Sequence, residues 1–267
     1  MVCAKMLLQK IWLKNLGWDV EVNDKMKKEF LQLVKSLQKL KSIKIPRKIG
    51  PITNKSSIHT FCDASANAYA CVTYLRNEDT NGIVQVHMLG AKSRISPTTG
   101  VTIPRLELLS AGIGARLAAS VKKALLKSTE GKVELVTNFW SDSTTALAWI
   151  TRYLEYATFV YNRTKEIREL TNTKEWRHVP GIKNIADLPT RGCTVDQLIT
   201  SRLWEGPSWL RVFPGKWPNS KVEVDEDEIK REVKKSAVTL LVSEDRASDT
   251  WYTRYFSSFS RIVKMVA

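Results

Sequence analysis

The sequence predicts an α/β fold: a mixed five-stranded sheet with helices on its faces, preceded by a helical N-terminal segment and followed by an irregular C-terminal tail. Three observations carry this. From Ser57, three apolar, β-branched or aromatic runs follow one another, IHTFCD, AYACVTYL and IVQVHMLGA, separated by ASAN and the turn-rich RNEDTNG. That is the pattern of an antiparallel meander. A stripe at helical spacing then runs through Leu106, Leu109, Ile113, Leu117, Val121 and Leu125. Beyond it, strand-like and helix-like stretches alternate, and such alternation is built by crossovers onto the same sheet.

Taken in order, residues 1–22 read as a short helix and an extended piece. Residues 24–41 place Phe30, Leu33, Val34, Leu37 and Leu40 at helical period with lysines opposite. The lysine face reads either as the solvated side of a packed helix or as a nucleic-acid surface. Pro46, Gly50 and Pro51 end that pattern. The three strands follow, then a helix from about Pro104, a residue suited to a first helical turn. VELVTNFWSD is a buried strand, STTALAWI a helix, residues 155–170 a further helix, EWRHVP a short strand and NIADL a last short helix. The order is thus β-β-β-α-β-α-α-β-α. Residues 201–218 carry three tryptophans and three prolines without period, and are expected as an arm lying on another surface. Residues 219–235 read as a charged linker. Residues 236–267 read as a short strand or helix and an aromatic segment, WYTRYFSSFSRIV, with no core of their own.

Composition narrows the partner. With 43% hydrophobic and 26% charged residues over 267 positions, the chain can bury a core. A net charge of +15 favours a polyanionic partner, or is simply the charge of a basic soluble protein. No apolar stretch is long enough for a membrane span, so no membrane partner is expected. Lys5, Lys10 and Lys14 interrupt the apolar N-terminus, which is amphipathic rather than a signal peptide. Cys3, Cys62, Cys71 and Cys193 have no zinc-ligand spacing. They read as reduced thiols of an intracellular protein, cytoplasmic or nuclear.

Four acids fall at the ends of predicted elements. Asp63 ends the first strand, Glu107 lies in the first turn of the long helix, Asp142 ends the fourth strand and Asp187 enters the last helix. If the first and fourth strands are adjacent and parallel, Asp63 and Asp142 lie side by side. The small face of Ser110, Ala111 and Gly114 lets the helix carrying Glu107 approach the sheet. Clustered carboxylates raise one another's pKa unless a cation neutralises them, and hard oxygen ligands suit two divalent ions, Mg²⁺ or Mn²⁺. Such a pair activates water and stabilises a leaving oxygen in phosphodiester hydrolysis. Each acid also has a local reading. The helix dipole favours Glu107, and Asp142 and Asp187 can serve as helix caps.

The strings FCDAS, TIPRLELLSA, FWSDST, WRHVPG and NIADLPTRG, in this order, resemble the ribonuclease H domain of BEL/Pao-type long-terminal-repeat retrotransposon polyproteins. The resemblance divides the chain into four parts. Residues 1–50 resemble the end of a reverse transcriptase (thumb or connection helices), and 51–192 a ribonuclease-H-like domain. Residues 193–218 form the Trp/Pro-rich arm, and 219–267 a linker with a partial lead-in to an integrase N-terminal region. It implies a ribonuclease H fold and cleavage of the RNA strand of RNA–DNA hybrids during reverse transcription. It also implies that Asp63, Glu107, Asp142 and Asp187 are catalytic, holding two divalent ions. The implied partners are the hybrid and the reverse transcriptase or integrase portions of the same polyprotein.

Two departures stand out. Where many ribonucleases H carry a loop histidine that assists product release, this chain has Ile182; His178, on the strand before it, is the auxiliary candidate. Pro189 shortens or kinks the last helix and can displace Asp187. Without polymerase aspartates or an integrase core, the sequence is expected to be a fragment, a decayed copy or a host-retained piece of such a polyprotein. Lys92, Arg94 and Arg191 are the candidate backbone contacts, with solvated surface charge as their alternative. A non-catalytic nucleic-acid-binding or scaffold remnant is the competing function. A strand-transfer enzyme is disfavoured by the early Glu107.

Overall fold

The structure is a computed structural model that describes residues 2–46, 48–219 and 223–234. Its centre is a five-stranded sheet of β1 (Ser57–Ala64), β2 (Ala68–Glu78), β3 (Val84–Ile95), β4 (Val136–Ser141) and β5 (Trp176–His178), in the order β3-β2-β1-β4-β5. The meander pairs antiparallel, whereas β4 lies parallel to β1 and β5 parallel to β4. The three apolar runs of the meander, the first two buried almost throughout, and the α/β crossovers after them therefore produce the mixed sheet.

Helices α1 (Val2–Leu13) and α2 (Asp24–Leu37) precede the sheet. Asn23 caps α2 through the Met26 N–H, as helix N-termini require. The helical period of α2 is as expected, but its burial is not. Only Met26 is buried on this helix, and Phe30, Val34 and Leu37 of the apolar stripe are exposed. Periodicity sets which side chains share a face, and a covering surface must still be supplied by other elements.

Helix α3 (Ile103–Ser128) covers one face of the sheet, with Leu106, Leu108, Ala111 and Ala115 packed among Cys62, Cys71 and Phe139. Its contact is tightest at Gly114, where a Cβ would collide with Cys62 Sγ and lie 3.2 Å from Thr60 Cγ2. Helices α4 (Thr144–Thr151) and α5 (Thr158–Leu170) add Trp149, Ile150, Val160 and Ile167 to this core.

The opposite face carries Phe61, Val72, Tyr74 and Trp140. Residues 201–218 lie on it as short 3-10 turns after α7 (Val195–Ser201), burying Leu210 and applying Trp209 and Trp217. The Tyr74 hydroxyl donates to Leu203 O at 2.7 Å, and Arg76 Nε donates to Leu210 O at 3.0 Å. Trp140 meets the Trp209 ring edge-on at 4.9 Å.

One expectation is corrected. The charged stretch 219–235 contains α8 (Glu226–Arg231), and residues 225–234 pack on the helices rather than forming a linker. Ile229 is buried in the α3 core, Arg152 pairs with Glu226, Arg105 pairs with Glu232, and Thr145 donates to Glu228. The mixed charges looked unstructured because their partners lie 74 to 127 residues away. Residues 236–267, with the expected strand or helix and the aromatic segment, lie outside the described residues. Among the described residues, no helix is long and apolar enough to cross a membrane, and all four cysteines are free thiols.

Candidate metal centre

The parallel register of β1 and β4 pairs Phe61 with Trp140. Two residues further on come Asp63, still in β1, and Asp142, just after β4, so both carboxylates leave the same end of these two strands. Glu107, the fifth residue of α3 and so just past the first turn expected for it, reaches the same end. One carboxylate oxygen from each of Asp63, Glu107 and Asp142 lies within 4.8 Å of the others.

Each acid is held by its surroundings. Glu107 Oε1 accepts from the Ala64 N–H at 3.1 Å. Asp142 Oδ1 accepts from Asn184 Nδ2 at 3.0 Å. Asp63 Oδ2 accepts from the Thr190 hydroxyl. Gly181 lies so near that a Cβ there would stand 3.0 Å from Asp142 Oδ2, which favours the smallest residue at this turn.

Burial dominates the electrostatics. It lifts the Asp63 carboxyl to about 7, with the charges of Asp142 and Asp187 adding to the effect and the Thr190 hydrogen bond opposing it. Glu107 is pushed up to about 9, first by burial and then by Asp63 and Asp142, against the Ala64 hydrogen bond. Two buried acids thus resist ionisation beside a third. A cation would reverse that, since it favours the charged form of every carboxylate it touches.

The donor set fits such a cation. Glu107 Oε2 is buried and has no hydrogen-bond partner, an expensive condition for a carboxylate oxygen unless something else satisfies it. All three donors are hard oxygens, which suit Mg²⁺ or Mn²⁺ rather than a thiophilic ion.

The other expected residues are placed differently. Asp187 opens α6 (Asp187–Arg191) and stays out of the three-acid group, its side chain 41% exposed and paired with Arg191 at 2.5 Å. Pro189 is accommodated within the first turn of this five-residue helix, where its missing N–H has no intrahelical acceptor to lose. The sequence expectation of four converging acids is therefore met by three, with the fourth at the rim. His178 ends β5 in register with Ser141, next to Asp142 in the chain, and is partly buried. Ile182 is 97% exposed on the turn after β5. Lys92 and Arg94 are exposed on the edge strand β3, opposite Cys71 and Tyr69, so they face the α3 side. β3 is two strands from β1, about 10 Å across the sheet. Asn184 and Thr190 also touch the acids, although no motif in the sequence singles them out. The only local signal was their place on either side of Asp187.

A family model described as a Pao retrotransposon-like RNaseH-like domain matches residues 1–143. The chain belongs to that family. The match takes in the N-terminal helices and every element of this Pao RNaseH-like chain up to Asp142, and so includes all three clustered acids. Among solved structures, the chain is similar to the N-terminal ribonuclease H domain of Rv2228c from Mycobacterium tuberculosis. The identity is 12%, over 55% of this chain and 97% of that one, with a TM-score of 0.33. It is also similar to LC11-RNase H1, isolated from compost, at 16% identity over 51% and 91% with a TM-score of 0.33. That protein is also known in complex with an RNA/DNA hybrid, a structure matched at 16% identity over 50% and 91% with a TM-score of 0.31. No curated protein matches the Pao RNaseH-like chain.

Proposed function

We propose that this chain is a metal-dependent endoribonuclease that cleaves the RNA strand of RNA–DNA hybrids in retrotransposon reverse transcription. The observation that carries the reading is the convergence of Asp63, Glu107 and Asp142 from β1, α3 and β4, with a buried Glu107 oxygen that has no partner. Family membership supports it.

Asp63, Glu107 and Asp142 would hold Mg²⁺ or Mn²⁺, with Asp187 completing the set from the rim. A bound pair of such ions supplies an activated water and charge stabilisation at the leaving oxygen. The chain's own residues do the rest. The Ala64 N–H fixes one Glu107 oxygen and leaves the other for the site. Arg191, exposed and beside Asp187, is the first candidate phosphate contact, and Lys92 and Arg94, exposed on β3, are the others. His178 is the auxiliary candidate for proton transfer or product release, since it pairs with Ser141, the residue before Asp142. Recognition of the hybrid rests on backbone shape and 2′-hydroxyls rather than on base sequence. The wider partners are the reverse transcriptase and integrase portions of a common polyprotein in an intracellular setting.

A second reading has its own support. Asp187 lies outside the three-acid group, and an isoleucine stands in the loop after β5. Both suit a nucleic-acid-binding scaffold that no longer cuts.

Cleavage of a labelled RNA–DNA hybrid with Mg²⁺ or Mn²⁺, with Asp63→Asn as control, separates the two. Metal-dependent cutting that disappears in Asp63→Asn is expected. Hybrid binding without cleavage would favour the scaffold.

A further inference from the structure

We propose that Thr190 and Asn184 are positioning residues that set the Asp63 and Asp142 carboxylates for a divalent cation, acting from the one segment that also carries Asp187. The proposal rests on reading the three acids as a cation site.

Thr190 is fully buried, and its Oγ1 lies within hydrogen-bond distance of both Asp63 Oδ2 and Asp187 O, the latter at 2.8 Å. A hydroxyl has one proton to donate. An ionised Asp63 is the stronger acceptor, because charge-assisted bonds are about twice as strong as neutral ones. The hydroxyl therefore goes to Asp63 whenever that acid is charged, the state a cation requires. The Thr190 carbonyl is itself tied to Ser65 Oγ at 3.1 Å, so the start of the loop after β1 is held to the same helix.

Asn184 is buried, and its whole amide is engaged. Nδ2 donates to Cys62 O and to Asp142 Oδ1, both at 3.0 Å, and Oδ1 accepts from the Ala186 N–H at 3.2 Å. Cys62 O is the carbonyl just before Asp63. One amide thus joins the end of β1 to the acid after β4, beyond the last backbone pair of the two strands. With both N–H donors and the oxygen engaged, the amide has one orientation.

The two contacts share a logic. Thr190 engages one oxygen of Asp63 and Asn184 one oxygen of Asp142, leaving the second oxygen of each for the ion. A carboxylate with both oxygens free can turn away from its like-charged neighbour. Holding one oxygen removes that freedom. Because the holding groups flank Asp187 in residues 184–190, the spacing of the strand acids and the place of the rim acid are set together.

The test uses the full chain with wild type, Thr190→Val, Thr190→Ser and Asn184→Ala. Mn²⁺ affinity is measured by calorimetry, metal-free melting checks folding, and hybrid cleavage is followed in parallel. Groups behind metal ligands are worth roughly 10–100-fold in affinity. We expect Thr190→Val and Asn184→Ala to bind Mn²⁺ at least about tenfold more weakly while still melting cooperatively, with Thr190→Ser within about twofold of wild type. A purely structural role would lower melting temperatures and leave the affinities alone, and that result overturns the proposal. Failure of all three variants to fold also overturns it, since the segment would then be scaffolding. If Thr190→Val alone fails to fold, Asn184→Ala against Thr190→Ser decides. A wild type that binds Mn²⁺ but cuts no hybrid removes the nuclease reading and leaves the positioning role intact. A wild type that cuts, beside variants of unchanged Mn²⁺ affinity, does the reverse. A wild type that binds no Mn²⁺ overturns both.

Discussion

Replacing Glu107 with glutamine should stabilise the metal-free protein, and increasingly so as pH rises. The buried Glu107 carboxyl is held at about 9 against an ordinary value of 4.5. Near neutral pH the folded chain therefore keeps a proton there that the unfolded chain has lost. For an acid whose folded pKa is raised, the associated stability is fully present below the unfolded value and is lost as pH rises through the folded one. Each pH unit above 4.5 removes ~1.4 kcal/mol, a ceiling of ~4 kcal/mol at about pH 7.5.

Relaxation and water entry reduce such ceilings, so ~2 kcal/mol is the working expectation for Glu107→Gln over wild type at that pH. Glutamine does not titrate, can still accept from the Ala64 N–H, and offers its amide to neighbouring carboxylates where Glu107 Oε2 has no partner. For a folded unit of this size, ~2 kcal/mol is about 4–8 °C in melting temperature. Melts in chelator across about pH 4.5–8.5 should show two curves that meet at the acid end and diverge upward. Saturating Mg²⁺ should then invert the order, because a ligand at ~100 times its Kd adds ~2.7 kcal/mol to the form that binds it. Parallel pH curves, or a variant no more stable than wild type near pH 7.5, would refute the account of Glu107 as a buried, repelled carboxyl.

Gly114→Ala should destabilise by about 1–3 kcal/mol in urea denaturation, because the added methyl meets Cys62 Sγ at the tightest α3–sheet contact. Ile229→Ala should cost about 2–4 kcal/mol, although the residue lies in a charged stretch, since Ile229 is 1% exposed in the α3 core; a change near zero would mean that residues 225–234 do not pack there. Arg191→Ala should weaken hybrid binding and make its dependence on log salt shallower by about one, the signature of one lost phosphate contact. An unchanged salt slope would assign Arg191 to Asp187 alone.

What the sequence determined by itself was local or periodic. Apolar and β-branched runs, the α3 stripe and the turn signals placed five strands and the helices between them, and the ends of those runs located Asp63 and Asp142. Such features are legible because they are carried by neighbouring residues, as a run or a 3.6-residue repeat, and need no distant partner. The tertiary structure decided the rest. It chose which acids meet, bringing Glu107 to the strand pair and leaving Asp187 beside Arg191. It enlisted Asn184 and Thr190, whose acceptors lie 42 to 127 residues away. It packed α8, and it left the α2 stripe exposed although its period was clear. A hydrogen bond or ion pair across such separations depends on where the whole chain has gone, and no window of sequence contains both ends of it.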